Sequence, residues 1–259
     1  MTSAPGYRPI IQGSPSSHSA IVRSVSVCMP AYNEEANLPG MIADVVAVMR
    51  ARFQDFEIVV TNDGSRDRTG AVLEELARQY PELRPVHHAV NQGYGAAVYT
   101  AFSHASKEVI FFTDSDRQFV LEEIDRLLPH LAEADLVVGY RAPRRDPVLR
   151  VLFGWGWSAL VTLLFGYTAR DIDCAFKLFR REVFETVGPA IRSRGATFSA
   201  EWLVRAKRAG FRIVEVPVSH LPRRAGSPTG ARWGVITRAF RELWWFRLQL
   251  WREDRGSGR

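Results

Sequence analysis

Short apolar runs alternate along the chain with longer segments whose apolar residues recur at helical spacing. Ser24 to Met29, Phe56 to Thr61, Leu83 to His87, residues 108–113 and Leu136 to Gly139 have the length and apolar content of buried strands. Helical patterns run from about Ala36 to Arg52, from 67 to 79, from the 91–95 loop to about Ala105, and over 120–131. Asp67 or Ser65 can cap the second of these. The alternation, with its short connections, predicts an α/β domain: a mostly parallel sheet covered by helices on both faces. In such sheets ligands bind outside the carboxyl ends of the strands. The polar stretches 30–35, 62–65, 91–95 and 114–118 each follow a predicted strand. Four loops are therefore expected to meet on one edge.

The pattern changes after residue 140. Val151 to Ala169 carries no charged residue. At about 1.5 Å of rise per residue, a helix of that length just reaches across a hydrocarbon core about 30 Å thick. Gly154, Gly156, Gly166, Ser158, Thr162 and Thr168 dilute its apolar character. A span would also place residues 170–259 across the membrane from the 114–118 loop. The preferred reading is an interfacial segment over 148–169, with Trp155 and Trp157 near lipid headgroups. A buried core helix is the alternative. Arg212 to Val218 reads as a further strand. From about Ala231 to Arg252, the residues Trp233, Ile236, Phe240, Leu243, Trp244 and Leu248 recur near helical spacing, with Arg232, Arg238, Arg241 and Arg252 among them. A basic amphipathic helix of this kind binds an anionic membrane or packs on its own domain.

Composition narrows the partners. The 259 residues suit one large domain, and 46% hydrophobic content supplies a core. A net charge of +6, carried mainly by arginine, favours a polyanionic partner. The arginines gather after residue 140 without a nucleic-acid motif, which sets nucleic acid aside. Cys28 and Cys174 lie in apolar contexts and read as core residues of a chain in a reducing compartment. Residues 1–23 are rich in Ser, Pro and Gly, lack the apolar core of a secretory signal, and are expected to form a loose arm.

The loops carry the candidate chemistry. On an extended exit from a strand, residues i, i+2 and i+4 point the same way. Asp114, Asp116 and Gln118 follow the apolar run Val109 to Phe112 at that spacing. Two carboxylates and an amide oxygen, with coordination positions left over, suit a hard divalent cation that also holds phosphate oxygens. A solvated acidic turn is the bland alternative. Asp63 can accept from a base N–H, Tyr32 can lie against a base face, and Glu34 can accept from a ribose hydroxyl. The competing readings are an Asx turn at Asp63 and simple favourable charge at a helix start for Glu34 and Glu35. Gly93 and Gly95 lack the spacing of a Walker or dinucleotide fingerprint. Together the loops point to a nucleoside diphosphate whose departure a bridging cation assists.

Val27-Cys28-Met29-Pro30-Ala31-Tyr32-Asn33-Glu34-Glu35, Asn62-Asp63-Gly64-Ser65, Asn91-Gln92-Gly93-Tyr94-Gly95 and Asp114-Ser115-Asp116-Arg117-Gln118 occur in the order of family 2 glycosyltransferases. The chain most resembles the dolichyl- or polyprenyl-phosphate sugar synthases, over roughly residues 24–225. The resemblance implies a GT-A nucleotide-diphospho-sugar transferase fold, with Pro30, Tyr32, Glu34, Asp63 and Asp114 at the nucleotide. It implies Asp114, Asp116 and Gln118 at the metal, Mg2+ or Mn2+, with Asp116 among the catalytic residues. The implied reaction inverts the anomeric centre and forms a β-linked lipid phosphosugar. Phe119-Val120 departs from a proline-containing segment common in relatives.

The acceptor side is read in the same way. Arg141 leaves the fifth predicted strand and resembles the family's Gly-x-Arg; a guanidinium fork matches phosphate geometry. Asp171-Ile172-Asp173-Cys174-Ala175-Phe176-Lys177 resembles the acceptor-side motif, with Ala175 in place of its glycine. Asp173 is the leading candidate for a general base or an acceptor-positioning carboxylate, and Glu201 is the second. Arg223 and Arg224 lie in a loop that resembles one closing over phosphates, and they are offered as acceptor-phosphate residues.

The expected organisation is an arm over 1–23, a GT-A domain over 24–225 with its interfacial segment, and an amphipathic helix over 226–259. The expected activity is transfer of a hexose from a GDP- or UDP-linked donor to a polyprenyl phosphate. The expected location is cytoplasmic, peripheral on the inner membrane face. Many members carry a transmembrane domain beyond this point, so the chain is expected to use its surface helices or a separate membrane protein. A hydroxyl of a glycan or lipid is the alternative acceptor, and an inactive nucleotide-binding membrane scaffold is the non-enzyme alternative.

Overall fold

The computed structural model describes residues 22–142, 148–222 and 233–256, and for 148–153, 233–237 and 256 the backbone alone. The first half follows the predicted alternation: β1 (Ser24–Ala31), α1 (Leu38–Arg50), β2 (Asp55–Asn62), α2 (Thr69–Gln79), β3 (Leu83–His87), α3 (Tyr94–His104) and β4 (Val109–Thr113). A helical run over 121–132 has one α-helical turn at its centre (α4, Ile124–Leu127), and β5 (Leu136–Arg141) follows. The second half holds α5 (Val148–Phe165), β6 (Phe176–Arg180), α6 (Arg181–Val187), α7 (Phe198–Arg208), β7 (Ile213–Val218) and α8 (Trp233–Gly256).

The strands form one seven-stranded sheet in the order β3-β2-β1-β4-β6-β5-β7. All neighbours are parallel except β6, which runs antiparallel to both β4 and β5. The mostly parallel sheet is thus as expected, and β6 is the element the sequence pattern hid. Lys177 interrupts its apolar run, and by its pattern the segment reads only as an acceptor-side motif. Lys177 is nonetheless fully buried.

Two apolar layers cover the sheet. Val25, Val27 and Met29 of β1 pack with Ile42, Val45 and Met49 of α1 on one face. Cys28, Val59, Ile110 and Phe112 pack with Val98 and Phe102 of α3 and Trp202 of α7 on the other. Phe102 meets the rings of Phe112, Phe179 and Trp202 at centroid distances of 5.4, 5.1 and 5.4 Å. Such tilted contacts contribute about 0.5–1.5 kcal/mol each beyond area burial. Both cysteines are buried free thiols, in line with the sequence reading.

α8 belongs to this second layer. Ala239, Leu243, Phe246 and Leu250 are buried, while Phe240, Trp244, Trp245 and Trp251 are exposed. The predicted stripe is therefore divided: Leu243 faces in, and Phe240 and Trp244 face out. Phe246 stacks on Phe165 of α5 at 4.8 Å, and Glu253 accepts from Arg205 of α7 at 3.2 Å. The helix starts and ends inside the expected 226–259 segment. α5 stops at Phe165 rather than 169; Val161 is buried, whereas Trp155 and Leu163 are exposed. Among the described residues, no helix is long and apolar enough to cross a membrane.

Glu201 lies in the first turn of α7. It is 1% exposed, accepts from the backbone N–H groups of Arg192 and Ser193, and pairs with Arg205 at 2.9 Å. Its expected role as a second acceptor carboxylate gives way to a structural one, because its oxygens hold the start of α7 to the 191–193 turn. Glu201→Ala should cost about 3–5 kcal/mol, the usual effect of stripping one partner from a buried pair. A lower urea midpoint at unchanged m value checks it.

Candidate active site

Every strand except β6 points its carboxyl end toward the same edge. The strand order reverses beside β1, which lies between β2 and β4, so a crevice opens outside β1 and β4. β6 runs the other way, and its first residue, Phe176, pairs with Thr113 at the end of β4. The antiparallel strand therefore delivers its preceding segment, 171–175, to the edge where the acidic loop begins.

The acidic loop is tied down on several sides. Ser115 Oγ donates to the Pro30 carbonyl at 2.9 Å, fixing the loop to β1. Tyr94, at the start of α3, donates its hydroxyl to Asp114 Oδ1 at 3.1 Å. The Gln118 N–H donates to Asp116 Oδ1 at 3.2 Å. The Gln118 side-chain amide donates to the Leu221 carbonyl at 3.0 Å, so its own oxygen is not the atom used in that bond. Leu221 N–H in turn donates to the Gln118 carbonyl at 2.7 Å, and Phe119 bridges to His220. The unusual Phe119 thus becomes a brace: its ring packs against those of Phe176 and His220.

Burial and the neighbouring Asp116 push the Asp114 carboxyl up to about 7, against the Tyr94 hydrogen bond and the charges of Lys177 and Arg141. Two carboxylates set two residues apart, with an amide two residues on, present oxygen donors whose shared charge a hard divalent cation would neutralise. That is the observation by which a divalent cation fits. Among the described residues no three His, Cys, Asp or Glu side chains cluster as a metal cage. Asp114, Asp116 and Gln118 carry the side-chain oxygens that could hold such a cation, a donor set suited to a hard ion.

The expected nucleoside residues stand beside it. Pro30 is buried at the end of β1, and Tyr32 is half-buried. The 30–35 and 62–67 loops are sewn together: Asn33 N–H donates to Ser65 Oγ at 3.0 Å, and Arg66 N–H to Asn33 Oδ1 at 2.9 Å. Asp67 accepts from Thr69 N–H at 2.9 Å, at the start of α2. Glu34 accepts from Asn37 Nδ2 at 2.6 Å and is largely buried. Asp63 is only 2% exposed. It accepts from His88 Nδ1 and from the N–H groups of Gln92 and Gly93 at 2.8, 2.8 and 2.9 Å. A carboxylate only accepts, so His88 carries its proton on Nδ1. The visible work of Asp63 is to hold the 91–93 turn, a role closer to an Asx anchor than to an exposed base acceptor. Gly64 has φ 61°, and a Cβ there would lie 2.4 Å from Asn91 N, so the two loops cross only because it is glycine.

On the acceptor side Arg141 has a partner that the motif reading did not assign. Its Nε and Nη2 fork onto Asp171 at 2.7 and 2.8 Å. Asp171 is buried, whereas Asp173 is exposed and near enough to influence the Tyr94 phenol. Lys177 Nζ donates to the Cys174 carbonyl, and burial pulls its ammonium below the ordinary lysine value while Asp173, Asp171 and Asp114 draw it back. Arg223 and Arg224 lie outside the described residues, directly after the Leu221–Pro222 segment pinned to Gln118. Tyr94, Asp171 and Lys177 are the residues that sequence reasoning passed over. All three stand inside motifs quoted in full, and a lysine inside an apolar strand is itself a signal of a buried charge.

Known proteins share this fold. The family description Glycosyl transferase family 2 matches residues 26–188. The chain is 32% identical over 209 residues to a dolichyl-phosphate beta-glucosyltransferase of Trichomonas vaginalis, covering 75% of this chain and 64% of that protein's length. It is 31% identical over 239 residues to the polyprenol monophosphomannose synthase of Mycolicibacterium smegmatis, covering 86% of this chain and 87% of that one. Its fold matches glucosyl-3-phosphoglycerate synthase from Mycobacterium tuberculosis in complex with Mn2+ and UDP-glucose, with TM-score 0.64 and 19% identity, over 87% of this chain and 79% of that one. The mannosyltransferase PcManGT from Pyrobaculum calidifontis, in complex with GDP-Man and Mn2+, matches with TM-score 0.58 and 19% identity, over 84% and 60%. The fold is accordingly of the GT-A class, and the chain belongs to glycosyl transferase family 2.

Proposed function

We propose that the chain transfers a hexose from a GDP- or UDP-linked donor to a polyprenyl phosphate, working peripherally on the cytoplasmic face of a membrane. The observation that carries this is the meeting, at one sheet edge, of the Asp114–Gln118 loop with Arg141 and Asp173. The relatives aligned over most of the chain, named for lipid-phosphate sugar transfer, support the acceptor class.

In this reading the nucleoside lies against Tyr32 and Pro30, and Glu34 faces its ribose. Asp63 serves the base through the 91–93 turn that it holds. Asp114, Asp116 and Gln118 hold Mg2+ or Mn2+, which when bound supplies positive charge for the departing diphosphate. An acceptor phosphate oxygen attacks the anomeric carbon as the bond to the nucleoside diphosphate breaks, so the centre inverts. The phosphate monoester already carries about −1.5 to −2 charges near neutrality, so it needs orientation more than deprotonation. Arg141, held in place by Asp171, supplies directed positive charge, and Arg223 and Arg224 add to it. Asp173 orients the acceptor and takes a proton only where the acceptor still carries one.

The lipid fits the outer face of the two long helices. Trp155 of α5 and Trp244, Trp245 and Trp251 of α8 are exposed, with Arg241, Arg252 and Arg255 exposed on the same helix. Tryptophan at headgroup depth and arginine toward anionic lipid make a surface anchor.

Two outcomes are expected. With Mn2+, radiolabelled sugar should enter an acid-labile, phosphate-containing lipid, and Asp116→Ala should lose about 10²-fold or more of that rate at unchanged far-UV circular dichroism. Undiminished transfer in excess chelator would refute the cation's role, and label found only in acid-stable glycan would move the acceptor to a hydroxyl. Replacing Trp244, Trp245 and Trp251 together by serine should weaken binding to phosphatidylglycerol vesicles by about tenfold or more. Equal sedimentation with vesicles would remove α8 from the membrane.

A further inference from the structure

Arg117 stands between Asp116 and Gln118 with its backbone in the left-handed region, at φ 59°. A bulky residue takes that conformation only where its surroundings hold it there. Its side chain crosses to α1, where Nε and Nη2 donate to Asp44 Oδ2 at 2.9 and 2.5 Å. The guanidinium lies over Gly40, one turn earlier on the same helix. A Cβ added at Gly40 would stand 2.2 Å from Arg117 Nη1 and 2.8 Å from its Cζ.

Gly40 has no backbone reason to be glycine. It lies within α1 and is not among the positive-φ glycines. Glycine inside a helix is less favourable than alanine. What it provides is a notch for the guanidinium. α1 also grows directly from the nucleoside loop, since Leu38 N–H donates to the Glu34 carbonyl at 3.0 Å. Arg117 therefore joins the acidic loop to the helix that carries the 30–35 loop.

We infer that Arg117 is a positioning residue: latched to Asp44 across Gly40, it holds the turn in which Asp116 and Gln118 face one cation and the diphosphate bound to it. The inference rests on the cation site proposed above. The pair is partly exposed, with Asp44 47% and Arg117 26% accessible in their side chains, and such pairs contribute little as bare charge attraction. Its effect is geometric. A ligand set displaced by about 1 Å loses much of its function even when the fold survives.

The test uses the full chain, with Mn2+ titrated in the presence of UDP or GDP and free Mn2+ read by electron paramagnetic resonance, alongside thermal melts. Arg117→Ala and Asp44→Ala should each weaken Mn2+ binding by about tenfold or more. The double variant should be no worse than either single one, since both break the same contact. Arg117→Gly accepts the left-handed backbone but lacks the latch, and should fail as Arg117→Ala does. Gly40→Ala separates the latch from general stability: alanine should keep or raise Tm, yet weaken Mn2+ binding by filling the notch. If Gly40→Ala and Asp44→Ala bind Mn2+ within about twofold of the parent while Asp116→Ala does not bind it, Arg117 is only a surface residue. If Asp116→Ala binds Mn2+ as the parent does, the cation site is misassigned and the inference falls with it.

Discussion

Two like charges at the end of a buried strand repel each other, and the site is arranged around that repulsion. Asp114 and Asp116 are set two residues apart as β4 ends, where the chain leaves the sheet but not the protein. Tyr94 gives a proton donor to one and the Gln118 N–H gives a donor to the other. Lys177 and Arg141 add positive charge nearby, yet burial and mutual repulsion still leave Asp114 raised to about 7. A divalent cation held between them would balance the pair, which is the chemistry proposed above.

The reversed strand explains how donor and acceptor residues come together. A fully parallel sheet would send the segment before β6 to the opposite edge. Running antiparallel between β4 and β5, β6 instead brings Asp171 and Asp173 beside the acidic loop and Asp171 within reach of Arg141. Its register fixes Lys177 opposite Phe112 and Val138, so a charge is buried in the middle of the sheet close to the carboxylates. Isolated there it would be costly. The Cys174 carbonyl and the surrounding acidic side chains give it partners.

The first half of the fold was legible because its signals are local. β-Branched runs such as Phe56 to Thr61 and the polar loops after them need no distant contact to be read, and a mostly parallel sheet then follows from alternation. The placement of Asp114, Asp116 and Gln118 on one edge followed for the same reason. The second half was less legible because its meaning depends on partners far away in sequence. Phe176 to Arg180 reads as a motif until its pairing with β4 is known. Asp171 and Asp173 look equivalent in sequence, and only Arg141, thirty residues earlier, sets them apart. Glu201 reads in sequence as a second candidate base or acceptor-positioning carboxylate because the N–H groups that occupy it come from a turn. In α8 the aromatic residues form one stripe by spacing, but contact with α5 and α7 decides which of them face inward.

That division also orders the surfaces. The layer containing α3 and α7 continues through Leu243, Phe246 and Leu250 of α8, so this helix is part of the folded domain rather than a detached tail. Its outward tryptophans are consequently held at a fixed position relative to the sheet. The 219–222 segment is fixed as well, since Ser219 donates twice to Glu123 and Leu221 pairs with Gln118. Rigid attachment of both α8 and the 114–118 loop to one core suits the proposed reaction between a soluble donor and a lipid acceptor, because the two substrates meet only if the protein keeps their sites in register.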